Sequence, residues 1–225
     1  MNQEGPPLLG MVNGYRGPAP LSPAATATAI RNGAILIDLR PAAAFAASHP
    51  VGALNLAIGT KVGYWAGYVL PADARVVLLG ANHHETTEAA RQLIRIGVSR
   101  IDGYINGGFD AWRDAGLPTA SIALSNVQEL SSAIGSGTAP LVVDVRTNKE
   151  WNAGHIEGAM HIPLGDLARR APEIPRDRPV ATMCEAGYRS SLAASVLARG
   201  GLDSVINVTG GMSAWRALVP ASVTK

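Results

Sequence analysis

Residues Cys184-Glu185-Ala186-Gly187-Tyr188-Arg189-Ser190 bring a thiol, a glycine and a guanidinium within one short stretch, and Cys184 is the one cysteine of the chain. An apolar run, Pro179-Val180-Ala181-Thr182-Met183, leads into them, and a helical pattern from Ser191 to Arg199 follows. This order predicts a strand, then a tight loop that begins with the thiol, then a helix. Such a layout aims successive backbone N–H groups and the positive end of a helix at the sulfur. Those donors stabilise the thiolate, the form of cysteine that acts as a nucleophile. An ordinary cysteine titrates near about 8.5, and helix N-termini and nearby cations bring it down to roughly 3.5–7.5. Arg189 supplies the cation, and Gly187 suits a position of positive φ or close backbone approach. The bland alternative is that a lone cysteine at the end of an apolar strand is a small buried hydrophobe. The loop chemistry outweighs it, and so does a comparison inside the chain itself.

Laid on itself at an offset of about one hundred residues, the chain matches in collinear blocks, a domain-sized repeat rather than a solenoid period. Ile35-Leu36-Ile37-Asp38-Leu39-Arg40 corresponds to Leu141-Val142-Val143-Asp144-Val145-Arg146, and His49-Pro50-Val51-Gly52-Ala53 to His155-Ile156-Glu157-Gly158-Ala159. Ala89-Ala90, Leu93, Arg95 and Gly97 correspond to Ala193-Ala194, Leu197, Arg199 and Gly201. Asn106-Gly107-Gly108 through Trp112 corresponds to Thr209-Gly210-Gly211 through Trp215. The first copy is expected over residues 21–118 and the second over 125–219, with residues 1–20, rich in Gly and Pro, as an extended arm. Within the first copy, Ile35–Ile37, Val76–Leu79 and Ser99–Ile101 read as strands and Thr86–Ile96 as a helix closed by Gly97. Short apolar strands without polar alternation predict a mostly parallel sheet covered on both faces, so each copy is expected to be a three-layer α/β/α domain. At the reactive loop the copies part company. Gly80 stands where Cys184 does, His83 where Gly187 does and Glu85 where Arg189 does. The first copy is therefore expected to be a catalytically inactive scaffold.

The chain has 225 residues, 47% of them hydrophobic and 16% charged, with a formal net charge of +2 and no Lys/Arg run. That gives no electrostatic case for nucleic acid or an anionic membrane. A single cysteine cannot form an internal disulfide, no stretch reads as a signal peptide, and no apolar run reaches the length of a membrane span. A cytoplasmic protein is expected.

The combination of strand-Asp144-Val145-Arg146, Trp151, His155-Ile156-Glu157-Gly158-Ala159, Cys184 to Ser190, and Gly210-Gly211 through Trp215 resembles the rhodanese family. Nearly the whole chain takes part, because the first copy keeps every block except the cysteine loop. The chain thus resembles tandem rhodaneses with an inactive N-terminal and an active C-terminal domain. The resemblance implies two rhodanese-like domains and a sulfurtransferase. Cys184 would take a sulfane sulfur from thiosulfate or a persulfide, hold it as a persulfide, and pass it to cyanide, glutathione or another thiol, with ping-pong kinetics. Glu185, Ala186, Gly187, Tyr188, Arg189 and Ser190 would bind the anionic donor through the loop amides and the Arg189 guanidinium. No cofactor and no metal are called for. A narrower resemblance links Gly5-Pro6-Pro7-Leu8-Leu9 and Gly63-Tyr64-Trp65-Ala66-Gly67 to the rhodanese part of persulfide dioxygenase fusions, which implies a persulfide dioxygenase or an acceptor protein as partner.

Two other functions compete. Cysteine-based phosphatases and arsenate reductases resemble this fold, but the phosphatases use Cys-x5-Arg, whereas Cys184 to Arg189 is Cys-x4-Arg. One residue fewer makes a smaller cradle, suited to one sulfur atom. A sulfur-carrier or regulatory module needs the same thiolate and is not separated by these residues. Other polar candidates read as structural. Asp144 and Arg146 tie loops at a strand end, and His155 makes a structural hydrogen bond, since its counterpart His49 lies in the unreactive copy. Trp112 and Trp215 are core anchors. His83-His84-Glu85 is a solvated loop rather than a metal site, and Glu185 faces solvent at the loop mouth.

Overall fold

The short apolar runs form buried parallel strands in both halves. In the computed structural model, which describes residues 14–219 and 223–224, the chain divides into two units, Met1–Ala120 and Ser121–Lys225. The first unit contains β1 (Pro20–Leu21), α1 (Pro23–Arg31), β2 (Ile35–Asp38), α2 (Ala42–Ala47), β3 (His49–Pro50), β4 (Leu54–Asn55), α3 (Val62–Val69), β5 (Arg75–Leu79), α4 (His83–Arg95), β6 (Arg100–Ile105), α5 (Gly108–Asp114) and β7 (Thr119–Ala120). The second contains β8 (Ala123–Ser125), α6 (Val127–Gly135), β9 (Leu141–Asp144), α7 (Asn148–Asn152), β10 (His155–Ile156), β11 (Met160–His161), α8 (Leu167–Arg170), β12 (Val180–Met183), α9 (Tyr188–Arg199), β13 (Val205–Val208), α10 (Gly211–Leu218) and β14 (Val223–Thr224).

Each unit is built on a five-stranded sheet, in the orders β1-β6-β5-β2-β4 and β11-β9-β12-β13-β8. All pairs in both sheets are parallel. Strand by strand the two orders correspond, as the internal repeat requires, and a small antiparallel pair accompanies each: β3 with β7, and β10 with β14. Successive strand residues point to opposite faces. Val76–Leu79 of β5 and Val180–Met183 of β12 are buried throughout, so both faces of each sheet are covered and the three-layer α/β/α expectation holds. Burying each such aliphatic side chain contributes about 1.5–3 kcal/mol. Trp215 closes the second core with Val127, Leu130, Met183 and Met212 around it. Trp112, buried in the first unit, also donates its indole N–H to Pro118 O at 3.1 Å.

The helix expected at Thr86–Ile96 begins earlier, at His83, because Asn82 caps it by accepting from Glu85 N at 3.0 Å. His83-His84-Glu85 is therefore the first turn of α4, with both histidines exposed, not a loop. The C-terminal stop at Gly97 is as expected, with φ 96°. The aromatic run 63–67 lies within α3, where Tyr64 and Tyr68 are exposed and their hydroxyls meet at 3.0 Å. Gly5–Leu9 and most of the expected N-terminal arm fall outside the described residues.

The sheet order creates a crevice. β9 and β12 are neighbours, yet the chain leaves β9 toward β11 on one side and leaves β12 toward β13 on the other. Open parallel sheets bind ligands at the carboxyl ends of strands at this kind of switch point. Asp144 ends β9, and Cys184 follows β12 directly; the two strands are in register there, Met183 opposite Asp144.

Candidate active site

Cys184 sits at the floor of the loop with 1% of its surface exposed. Gly187 caps α9 in the left-handed region, at φ 97° and ψ −17°, a conformation nearly free to glycine alone. That turn aims the Gly187 N–H back at the thiol, with N to Sγ 3.1 Å. A backbone donor is thus held by the turn directly against the buried sulfur. The loop is pinned from below. Thr182 Oγ1 donates to Ser190 O at 2.9 Å, and Ser190 Oγ donates to Gly187 O at 3.0 Å. Ser190 is fully buried, so its hydroxyl is turned into the protein and holds the loop.

The Gly-Gly pair of the second unit belongs to this site as well. The first turn of α10 donates to the loop: Met212 N to Cys184 O at 2.8 Å and Ser213 N to Glu185 O at 3.0 Å. A Cβ at Gly211 would stand 2.4 Å from Cys184 O; no side chain fits there. The close approach, rather than a core turn alone, accounts for that glycine.

Glu185 departs from its expected place. Its carboxylate is not aimed at solvent: it accepts from Ser213 Oγ at 2.8 Å, pairs with Arg216, and lies 3.4 Å from Arg146 Nη1. The loop mouth is left to exposed Ala186 and to half-buried Tyr188 and Arg189. Burial pushes the Tyr188 phenol up to about 12, which keeps it neutral at physiological pH.

Arg146 is the largest polar group in the interior, with a fully buried side chain. It forks onto Asp144 through Nε at 2.9 and 3.0 Å and Nη2 at 2.6 Å, and donates further to Glu150 O at 3.1 Å and Gly154 O at 2.9 Å. This ties three chain segments around the crevice, the structural role expected of it. Trp151 is sandwiched between His155 and His161, stacked at 3.6 and 4.5 Å. His155 Nδ1 lies 3.2 Å from Trp151 O and His161 Nε2 2.9 Å from Arg146 O. His49 repeats the arrangement on Phe45, 3.8 Å between rings, with Nδ1 2.7 Å from Phe45 O. Both histidines brace a strand–helix corner.

Arg189 holds a partner that local spacing did not reveal. Its guanidinium binds Glu150 bidentately at 2.8 and 2.6 Å. Glu150 is also the third residue of a capping box on α7: it accepts from Thr147 N at 2.9 Å and Thr147 Oγ1 at 2.7 Å. Burial opposes the Arg189 charge, but the bond to Glu150 and the negative charges of Cys184, Glu150 and Asp144 outweigh it and raise its pKa further. In return the Arg189 hydrogen bonds, working against burial and helped by Thr147, hold the Glu150 carboxyl at about 2, down from 4.5. A depressed carboxylate contributes stability that is fully present above 4.5 and lost as pH falls toward 2. Urea titrations of wild type and Glu150→Gln from pH 7 to pH 2 are therefore expected to show a stability gap that is constant above 4.5, narrows below it and closes near 2. A gap independent of pH would remove this ion pair from the account.

The first copy answers what its loop became. Gly80 follows β5 as Cys184 follows β12, but Ala81 N donates to Glu85 Oε2 at 2.9 Å. The chain's own carboxylate takes the amide that an anion would need, and no residue other than glycine has a positive φ among those described, so His83 cannot reproduce the Gly187 turn. A Cβ built on Gly80 would lie 3.4 Å from Glu85 Oε2 and 3.0 Å from Thr86 Cγ2. A thiol there would face a carboxylate, which opposes the thiolate. Gly80→Cys in a Cys184→Ser background is expected to gain no sulfur from thiosulfate or glutathione persulfide by intact mass; a one-sulfur adduct on residue 80 would overturn this reading of the loop.

Comparison with known proteins bears on the whole chain. A sulfurtransferase of Allochromatium vinosum is 36% identical over 88 residues, which is 39% of this chain and 82% of that protein. A thiosulfate sulfurtransferase of Shewanella oneidensis is 38% identical over 74 residues, 33% of this chain and 73% of that protein. A Bacillus subtilis protein named as a sulfur carrier is 33% identical over 96 residues, 43% of this chain; the chain spans only 52% of that relative's length. Among the described residues no helix is long and apolar enough to cross a membrane. The rhodanese-like domain matches twice, at residues 22–115 and 126–218, and with both copies accounted for, the chain belongs to the rhodanese family.

Proposed function

We propose that this chain is a sulfurtransferase that carries sulfur on Cys184. The observation that supports it most is the Gly187 N–H held 3.1 Å from Sγ at the floor of a Cys-x4-Arg loop. The thiolate attacks the outer sulfur of a donor, thiosulfate or a low-molecular-weight persulfide. The bond from Cys184 Sγ to that sulfur forms as the donor's S–S bond breaks, and the electron pair leaves with sulfite or with the donor thiolate. An acceptor thiol or cyanide then attacks the outer sulfur of the Cys184 persulfide and returns the thiolate. The loop amides and the helix N-terminus stabilise the negative charge in both resting and loaded forms. The first unit, with its cradle filled by Glu85, serves as scaffold.

A sulfur-carrier reading is supported by the relative named as a sulfur carrier, and a persulfide-consuming partner such as a persulfide dioxygenase would fit it. The two readings part on turnover. The test is intact mass after incubation with thiosulfate, and separately with glutathione persulfide, followed by steady-state transfer to glutathione and cyanide. A one-sulfur gain with multiple turnovers supports the enzyme; a gain without turnover supports the carrier. No gain from either donor would remove both.

A further inference from the structure

Among the described residues, three guanidiniums bind the Cys184 loop or its immediate partners, and each is matched by a carboxylate. Arg146 pairs with Asp144 at 2.6 Å, Arg189 with Glu150 at 2.6 Å, and Arg216 with Glu185. These three ion pairs thus sum to zero before the thiolate is counted, and to a net negative charge with it. Arg189, the cation nearest in sequence to the thiol, is 11% exposed and held by both oxygens of Glu150. A bidentate guanidinium–carboxylate pair in a half-buried place is geometrically fixed and is not readily surrendered to a passing anion. The helix N-terminus and loop amides remain, but these amount to roughly half an elementary charge.

A dianion and a monoanion respond differently to such a site. Thiosulfate carries two negative charges on one small group. An alkyl persulfide or an alkyl thiosulfonate presents the same sulfane sulfur with one. We propose that Glu150 is a positioning residue that neutralises Arg189 and thereby sets the donor specificity of Cys184, favouring monoanionic persulfides and thiosulfonates over the thiosulfate dianion. The inference rests on the sulfur-transfer reading above.

With either donor the chemistry at Cys184 is the same. With thiosulfate, the Cys184 Sγ–S bond forms, the donor S–S bond breaks and sulfite leaves with the electron pair. With methanethiosulfonate, methanesulfinate leaves in its place. Comparing these two donors therefore isolates donor charge. Any effect of Glu150 on the thiolate itself cancels in the ratio of their kcat/KM values.

The experiment measures that ratio, thiosulfate over methanethiosulfonate, for wild type, Glu150→Gln and Glu150→Asp. Gln keeps the size and the acceptor of the capping box but not the charge, and the ratio is expected to rise about tenfold, mostly through the KM for thiosulfate. Asp keeps the charge and is expected to hold the ratio within about threefold of wild type. A role confined to capping α7 would lower both rates together and leave the ratio unchanged. Should Glu150→Gln fail to fold, the wild type alone suffices. Raising ionic strength from about 0.01 M to about 0.15 M shortens the screening length from roughly 30 to 8 Å. At a net-negative site this relieves the dianion more and raises the ratio, whereas a cation-dominated site lowers it. A ratio that stays flat in Glu150→Gln, or falls with salt in wild type, overturns the inference. If wild type takes up sulfur from neither donor, the sulfur-transfer reading fails and this one falls with it; uptake with an unmoved ratio sinks only the role of Glu150.

Discussion

Cys184→Ser is expected to lose sulfur transfer by at least about a thousandfold while keeping its fold. The reasons are separable. A serine hydroxyl is deprotonated only far above physiological pH, and the Gly187 N–H at 3.1 Å cannot make up that gap. Sulfur also forms the S–S bond that the loaded state requires, which oxygen does not replace. The fold survives because the exchange is nearly isosteric and the new hydroxyl inherits the Gly187 N–H as a partner, so stability should change by no more than about 1 kcal/mol. Steady-state rates, intact mass after donor treatment and urea unfolding check the three parts together. Retained turnover in a folded Cys184→Ser would end the nucleophile assignment.

The second large effect lies in the interior. Asp144→Ala is expected to cost about 3–5 kcal/mol, because it leaves the fully buried Arg146 with only the longer 3.4 Å contact to Glu185, which Arg216 already shares. The counterpart Asp38→Ala should cost clearly less. Arg40 is 15% exposed and its guanidinium also lies over the Phe109 ring, 4.0 Å from the centroid, so it keeps some solvent and a cation–π contact when its partner is removed. With two units, a single unfolding transition cannot be assumed. Hydrogen exchange read on peptides from each unit assigns the loss to one of them. Equal costs at the two positions would mean that burial of the arginine is not what decides the penalty.

Much of the site was legible along the chain because its parts are local. Cys184, Gly187 and Arg189 lie within one loop, and their types alone announce a thiol, a positive-φ turn and a cation. The internal repeat supplied a control, since it set Gly80, His83 and Glu85 beside them. The apolar strands announced buried parallel sheets, because period-two polarity is absent when both faces are covered. Two positions depart from what the chain announces, one for a tertiary reason and one for a local one. Residue type and position put Glu185 at a solvent-facing loop mouth, but its partners Ser213 and Arg216 come from α10. His83-His84-Glu85 reads as a loop along the chain because periodicity starts the helix at Thr86, whereas the Asn82 cap starts it three residues earlier, at His83.

The sequence by itself determined the duplication and the fold class, and it singled out the proposed nucleophile and the expected loss of chemistry in the first copy, since all of these depend on residue type and short spacing. Only the tertiary structure decided what the guanidinium of Arg189 touches. Glu150 is 39 positions away, and nothing in their separation along the chain favours that pair over any other. They meet because β9 and β12 are neighbours whose chains depart in opposite directions, which brings the start of α7 to the start of α9. Strand order is set by the burial of whole sheets, and so the electrostatic balance at Cys184 is a property of the folded core rather than of the loop that carries it.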